Sequence, residues 1–188
     1  MLTKPSLQML DFTEALDAVD GGAAFIDLRQ VASYFEVHIP GSIPLLYEFG
    51  PGLASRARDC LPPSLPLVLL DLGYGNCAHA AAALRGKGFT VVGAIDDGIN
   101  RWAAARGTPR STETVPTPTG KALDVGDPGA QVRDDAVHIP VELLWGRVAE
   151  LSDHEHVTVT SGYGVRAAVA VGILERAGHA VAIWSPRH

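Results

Sequence analysis

Two glycine-containing segments carry the residue types that could do chemistry in this chain. The first segment reads Leu72-Gly73-Tyr74-Gly75-Asn76-Cys77, and the second reads Ser161-Gly162-Tyr163-Gly164-Val165-Arg166. Each follows an apolar run and precedes an alanine-rich run, which predicts a loop that joins a buried strand to a helix. Backbone N–H groups converge in such a loop, and the helix N-terminus carries partial positive charge. We therefore predict that both segments bind an anion, with residues 73–76 and 161–166 as the candidate binding residues.

The first segment also holds one of the two cysteines of the chain, Cys77. One interpretation is a thiol activated by the loop and the helix N-terminus, with Asp71 as a catalytic partner. The other is a small residue packed beneath the loop, and we favour it because unpaired cysteine is among the most buried residue types. Cys60, the second cysteine, is predicted on a different element.

The second segment offers a cation in place of a thiol. Arg166, together with the N–H groups of residues 162–165, could bind an oxyanion such as sulfate, thiosulfate or phosphate. Alternatively, its guanidinium bonds to loop carbonyls and only shapes the loop. Ser161 as a nucleophile would need a general base, and the sequence identifies none.

Composition narrows the function classes. The chain has 188 residues, 47% hydrophobic and 19% charged, which is enough for a packed core. Its net charge of −6 disfavours nucleic acid and anionic membranes as partners. No signal peptide or membrane span is predicted, so we expect a cytoplasmic protein. The Asp153-His154-Glu155-His156 cluster is weak evidence for a metal, and we predict no metal site and no cofactor.

The elements that must position the two segments form an internal repeat. Gly-Tyr-Gly recurs after 162 − 73 = 89 residues, and His38-Ile39-Pro40 recurs as His138-Ile139-Pro140. Apolar strand patterns alternate with helical ones, which predicts an α/β fold with parallel sheets. The first helix is expected to begin with Thr13 as its N-cap. We predict a first domain over residues 1–109, a Thr- and Pro-rich linker over 110–120, and a shortened second domain over 121–188.

With this order of features the chain resembles the rhodanese (sulfurtransferase) family. The first half carries Asp27-Leu28-Arg29, His38-Ile39-Pro40-Gly41-Ser42 and Gly98-Ile99-Asn100-Arg101-Trp102. The second half carries Leu123-Asp124-Val125, His138-Ile139-Pro140 and the segment from Ser161 to Arg166. The resemblance implies two tandem rhodanese-like units, each a small, mainly parallel sheet flanked by helices, with the second unit truncated. More narrowly, the tandem resembles the rhodanese portion of metallo-β-lactamase–rhodanese fusions of the persulfide dioxygenase type.

Both halves depart from the family at the position that does the chemistry. The resemblance implies a loop of the form Cys-x-x-Gly-x-Arg whose cysteine carries sulfur as a persulfide. The matching position is Ser161 in the second half and Leu72 in the first, where Cys77 stands in place of the arginine. Neither a serine hydroxyl nor a leucine can hold a persulfide.

Three functions remain open. The first, which we favour, is a catalytically degenerate tandem that binds an anion or docks a protein partner in sulfur metabolism. The second is a sulfurtransferase that carries its persulfide on the displaced Cys77. The third is a different enzyme activity in the cleft between the two domains. The expected ligand is a small anion or a sulfur donor.

Overall fold

The computed structural model describes residues 7–47, 52–71, 76–129 and 133–186. Its contacts divide the chain into two compact units. The first contains Met1–Gln30 and Leu45–Pro109, and the second contains Val31–Pro44 and Arg110–His188. Residues 31–44 therefore group with the second unit, although the sequence-based boundaries place them in the first domain.

The elements alternate between helix and strand through most of the chain. In chain order they are α1 (Phe12–Asp20), β1 (Ala24–Asp27), α2 (Val31–Glu36), β2 (Ile43–Pro44), α3 (Gly52–Cys60), β3 (Leu67–Asp71), α4 (Cys77–Gly86), β4 (Val91–Asp96), α5 (Gly98–Arg106), β5 (Glu113–Val115), β6 (Lys121–Asp124), β7 (Val137–His138), α6 (Val141–Arg147), a 3-10 turn (Val148–Leu151), β8 (His156–Val159), α7 (Val165–Arg176) and β9 (Ala180–Trp184).

In the first unit β3 lies between β1 and β4, and both pairings are parallel. The pairing brings Ile26 beside Leu69, and both side chains are fully buried. Such continuous apolar strands are typical of a parallel sheet covered on both faces. Because the strands are parallel, β1 and β3 end at the same edge, and the first glycine-containing segment begins there.

Helix α1 begins two residues earlier than a Thr13 N-cap would place it, so that prediction is wrong. Asp11 is the N-cap, and its carboxylate accepts the Glu14 N–H at 2.8 Å. The Glu14 carboxylate in turn accepts the Asp11 N–H at 2.9 Å. This reciprocal capping box satisfies two N–H groups at once, which is why Asp11 is the N-cap.

The second unit contains a parallel sheet with strand order β5-β9-β8-β6-β7. The prediction of an α/β fold with two mainly parallel sheets flanked by helices is confirmed. Strand β5 lies inside the stretch 110–120 that we predicted as a linker, and it pairs with β9 through Glu113 and Ala182. The Trp184 indole also donates to the Pro116 carbonyl at 3.1 Å, so this stretch is part of the second unit.

Helix α7 is the central helix of the second unit, and every residue from 167 to 174 is buried. Gly172 lets residues 42–44 approach the helix closely. A Cβ atom built at Gly172 would lie 2.5 Å from the Ser42 carbonyl oxygen and 3.0 Å from the Ile43 Cα. Both are backbone atoms that cannot move aside independently. The packing of residues 31–44 on α7 therefore requires a glycine at this position.

Within the described ranges, no helix is long and apolar enough to cross a membrane.

Candidate functional site

The first segment joins β3 to α4, and part of it lies outside the described residues. Leu72, Gly73, Tyr74 and Gly75 belong to that part, so the predicted anion-binding role of the two glycines and Tyr74 stays a prediction. Asn76 precedes α4 but makes no side-chain cap to it. Cys77 is the first residue of α4.

The Cys77 thiol lies in the core rather than at the surface. The residue is 5% exposed, and Sγ lies 3.7 Å from the Leu70 carbonyl oxygen on β3. Burial and the negative charge of Asp71 raise the pKa of the Cys77 thiol from 9.0 to about 12. A thiolate is the nucleophilic form of cysteine, so this environment suppresses the reactivity that sulfur transfer needs. Asp71 thereby opposes thiolate formation at Cys77.

The second loop, residues 161–164, joins β8 to α7 and is fully described. Gly162 adopts a φ of +97°, a conformation that favours glycine. Gly164 is the N-cap of α7 and provides no side chain to accept the first N–H groups of the helix. Among the described residues, no acceptor meets the backbone N–H of Gly162, Tyr163 or Gly164. These donors and the 12-residue helix behind them give the loop a positive potential.

Arg166 is the second residue of α7, and its side chain bonds to residues outside the second loop. Its Nε and Nη2 donate to the Val125 carbonyl at 3.2 and 3.0 Å. Nη2 also donates to Glu142 Oε2 at 2.7 Å, and Nη1 donates to Oε1 of the same carboxylate. A bidentate carboxylate pair fixes the plane of a guanidinium. The charge of Arg166 is thus shared with Glu142.

The pairing with Arg166 also affects the pKa of Glu142. Burial acts to raise the pKa of Glu142, but the hydrogen bond and positive charge of Arg166 outweigh it and hold that pKa below its usual range. Glu142 therefore stays ionised at neutral pH. Asp127 adds a more distant negative charge, 3.5 Å from Arg166 Nη1. Arg166 therefore lies within ion-pair distance of two carboxylates, those of Asp127 and Glu142.

Ser161 and Tyr163 frame the second loop. Ser161 Oγ accepts the Val125 N–H at 3.3 Å, so the same residue that receives Arg166 also anchors the start of the loop. The Tyr163 side chain is 57% exposed, and its ring meets the buried Phe35 edge-on at a centroid distance of 4.9 Å. Phe35 thus holds an aromatic side chain beside the N–H groups of the loop.

The sequence model of the family described as "Rhodanese-like domain" matches residues 11–105, which is half of the chain. The chain belongs to the rhodanese-like domain family.

Solved structures provide three further comparisons with this rhodanese-like chain. It is 26% identical to the Alr3790 protein from Anabaena sp., over 48% of this chain and 70% of that one, with a TM-score of 0.41. It is 17% identical to the thiosulfate sulfurtransferase from Pseudomonas aeruginosa, with a TM-score of 0.44. That match covers 97% of this chain and 43% of the other. It is 16% identical to SseA from Escherichia coli, over 97% of this chain and 99% of that one, with a TM-score of 0.44.

Sequence reasoning placed the second loop of this rhodanese-like chain but missed the residues that support it. Val125 and Glu142 lie 41 and 24 positions before Arg166, and no spacing rule links them to it. Phe35 is more distant still in sequence. One signal was available for Glu142, because an acidic residue in the first turn of a helix after a His-Ile-Pro turn is well placed for an ion pair.

The Asp153-His154-Glu155-His156 cluster forms no site of its own. His154 uses its backbone carbonyl to accept from the His179 ring at 2.6 Å. Among the described residues, no group of three or more His, Cys, Asp or Glu side chains is arranged to hold a metal ion.

Proposed function

We propose that this rhodanese-like protein is catalytically degenerate and binds a small anion at the second loop. The observation that carries the proposal is the set of N–H donors at Gly162, Tyr163 and Gly164, for which the described residues provide no acceptor, at the start of α7. Helix N-termini with converging backbone donors are common sites for oxyanions. The tandem resembles the rhodanese portion of metallo-β-lactamase–rhodanese fusions, which connects the proposal to sulfur metabolism.

The proposed loss of catalysis rests on the first residue of the second loop, Ser161. Ser161 occupies the position where the family pattern has cysteine, and an alcohol oxygen cannot carry a sulfane sulfur. Its Oγ is engaged by the Val125 N–H at 3.3 Å, so the side chain contributes to loop structure. The anion-binding backbone of the loop does not depend on the missing thiol.

Arg166 has two tasks in this proposal. It bonds the start of α7 to the Val125 carbonyl, which holds the helix end next to the loop in place. It also adds positive charge behind the loop, reduced by the pairing with Glu142. The site is therefore expected to bind an oxyanion, such as thiosulfate or sulfate, with modest affinity. The same N–H groups would donate to an acidic group presented by a protein partner.

Sulfur transfer on Cys77 is less well supported. Its Sγ lies against the Leu70 carbonyl, and burial together with Asp71 raises the pKa of the thiol to about 12. A persulfide acceptor needs an exposed, ionised thiol.

The test follows the NMR chemical shifts of backbone amides in isotopically labelled protein. The protein is titrated with thiosulfate, with sulfate, and with chloride as the ionic-strength control. Thiosulfate and sulfate are expected to cause saturable shifts at residues 162–165, and chloride is not. The variant Gly164→Asp places a carboxylate at the N-cap, where it accepts the helix N–H groups itself. Space at Gly164 is open and its φ of −174° suits any residue, so the variant is expected to fold.

The matched control is Gly146→Asp, which makes the same charge change on α6. A Cβ atom built at Gly146 contacts no other atom, as at Gly164. Binding should disappear in Gly164→Asp and persist in Gly146→Asp. Equal loss in both variants, or no saturable shift in the original protein, would show that the second loop does not bind anions. A phosphorylated or acidic peptide used as a fourth titrant tests the partner-borne form of the ligand.

A further inference from the structure

A cavity of about 400 Å³ lies at the C-terminal end of α7. Its lining residues are 148–149, 152–155 and 177–179, and all of them belong to the second unit. Helix α7 has 12 residues and is therefore about 18 Å long. The second loop precedes the first residue of this helix, so the cavity lies at the other end and is a separate candidate site.

The end of α7 fixes one wall of the cavity. Gly178 adopts a φ of +96°, and its N–H donates to the Glu175 carbonyl at 3.0 Å. The His179 N–H donates to the Leu174 carbonyl at 3.0 Å. These two bonds form a Schellman motif, which ends a helix at a glycine. The motif sets the backbone position of His179 directly after the helix.

The ring of His179 is held in one orientation. The residue is 6% exposed, and Nδ1 lies 2.6 Å from the His154 carbonyl oxygen. A carbonyl oxygen only accepts, so Nδ1 carries a proton and donates it to this bond. The neutral ring then has an acceptor lone pair on Nε2, for which the described residues provide no donor. Because His179 lines the cavity, this acceptor is available to a ligand that donates a hydrogen bond.

The turn over residues 152–155 forms another wall, and its backbone is bonded on both sides. The Ser152 N–H donates to the Ala149 carbonyl at 3.1 Å, and the Glu155 carbonyl accepts the Ala180 N–H at 2.9 Å. These bonds attach the turn to the 3-10 turn before it and to β9. The wall is therefore formed without a ligand.

The charges around the cavity favour a cation. Asp153 and Glu155 both line it and are exposed. Among the described residues, no lysine or arginine lines it. The C-terminus of a helix carries partial negative charge, and α7 ends at this cavity. An anion would therefore be repelled from the cavity, whereas a positively charged donor would be attracted.

A smaller, more apolar cavity of about 250 Å³ adjoins the first, because Val148 and Ala177 line both. Its other lining residues are Trp145, Ile173 and Arg176. The Arg176 guanidinium lies over the Trp145 ring, 5.8 Å from its centroid. Positive charge is thus already present at this end. The smaller cavity therefore suits the apolar part of a ligand whose cationic group lies in the larger one.

We propose that the larger cavity binds a small primary amine that carries an apolar substituent. The ammonium group donates to His179 Nε2 and is attracted by the carboxylates of Asp153 and Glu155. The apolar substituent packs against Val148, towards Trp145. An ammonium has three donors and no acceptor, which matches a cavity that offers acceptors and negative charge. A volume of about 400 Å³ is within the range of small-molecule sites.

The experiment titrates the isotopically labelled full chain with phenethylamine and, separately, with 3-phenylpropionate, which has a similar shape and the opposite charge. NMR chemical shifts of backbone amides report binding. We expect saturable shifts at residues 152–155 and 178–180 with the amine. Binding of the carboxylate should be at least about tenfold weaker, because it cannot donate to His179. Amides of residues 162–165 are the internal reference and should not shift with the amine.

Two variants sharpen the result. In His179→Asn the side-chain amide can still donate to the His154 carbonyl, but Nε2 is lost, so the affinity for phenethylamine should fall by about tenfold. His156→Asn makes the same change at an exposed residue that does not line the cavity, and it should leave the affinity unchanged.

Three results would overturn the proposal: no saturable shift with phenethylamine, equal affinities for the amine and the carboxylate, or an affinity in His179→Asn equal to that in His156→Asn. The comparison of the two probes uses the original protein. It therefore decides the proposal even where a variant fails to fold.

Discussion

Helices α4 and α7 both begin where a buried parallel strand ends, yet the chain places opposite chemistry at these two points. At α4 the first residue is a thiol that faces the core, with Sγ 3.7 Å from the Leu70 carbonyl. At α7 the preceding loop carries backbone donors and an exposed Tyr163 but no thiol. Sulfur chemistry needs a reactive thiol and an anion-stabilising loop at one place. Cys77 belongs to the first unit, and the loop with the backbone donors at Gly162, Tyr163 and Gly164 belongs to the second.

Under the proposed function, a rhodanese-like scaffold keeps one capacity while it loses another. Anion binding depends on backbone donors and the helix N-terminus, which survive any change of the side chain at position 161. Nucleophilic catalysis depends on a single side chain. The four predictions below test whether the two helix starts differ as described.

The largest expected effect concerns the reactivity of Cys77. A pKa of about 12 instead of 9.0 leaves about a thousandfold less thiolate at neutral pH. In a Cys60→Ala variant, where Cys77 is the only thiol, alkylation should be at least about a thousandfold slower in the folded protein than in denaturant. The rates are measured by intact mass against time. Alkylation of folded protein at the rate of an exposed thiol would contradict the burial of Cys77.

The second prediction concerns the packing that holds α7 in place. Gly172→Ala drives a methyl group against the Ser42 carbonyl oxygen, and we expect a loss of about 3 kcal/mol in the free energy of unfolding. Gly146→Ala on α6 meets no atom and should raise that free energy by about 0.5 kcal/mol. Denaturant unfolding of both variants measures the difference. Equal stabilities would show that residues 42–44 do not pack closely on α7.

A smaller effect is expected at the ion pair beside the second loop. Glu142→Gln removes the negative charge that Arg166 faces, so affinity for thiosulfate should rise by about two- to fivefold. Glu150→Gln removes a carboxylate that pairs with Arg147 and should leave the affinity unchanged. Both affinities come from titration calorimetry. An unchanged affinity in Glu142→Gln would mean that Arg166 adds no charge to the site.

The smallest effect is the pH dependence of the same ion pair. Arg166 holds the pKa of Glu142 below its usual range, so the pair stabilises the fold above the unfolded-state pKa. That contribution is lost as the pH falls through the lower, folded-state value. Unfolding measured from about pH 6 down to about pH 3 should show a shallower decline in Glu142→Gln than in the original protein. Identical declines would contradict the shift.

Much of the fold could be predicted because its signals are local. Apolar strand runs, glycine stops and the repeated Gly-Tyr-Gly and His-Ile-Pro motifs all depend on neighbouring residues. The capping of α1 was missed because two acceptable N-caps, Asp11 and Thr13, lie close together. Strand β5 was missed because a stretch rich in Thr and Pro has no apolar period, and only its pairing with β9 makes it a strand.

The partners in the site could not be predicted because they depend on tertiary contacts. Arg166 could be identified, but whether it faces a ligand or Glu142 depends on where α6 lies relative to α7. His38 likewise reads as a turn residue until Glu175, 137 positions later, is placed beside it. The burial of Cys77 was favoured from residue type alone, and the raised pKa of its thiol follows from that burial and from the charge of Asp71.

The most direct test of the central claim is equilibrium dialysis against thiosulfate carrying a radioactive label on its sulfane sulfur, followed by gel filtration in denaturant without reductant. If the second loop binds the anion and no thiol attacks it, the folded protein retains label and the denatured protein retains none. Label that stays with the denatured chain would mean that a cysteine thiolate took the sulfane sulfur as a persulfide and released sulfite. Absence of label from the folded protein would contradict the anion site itself.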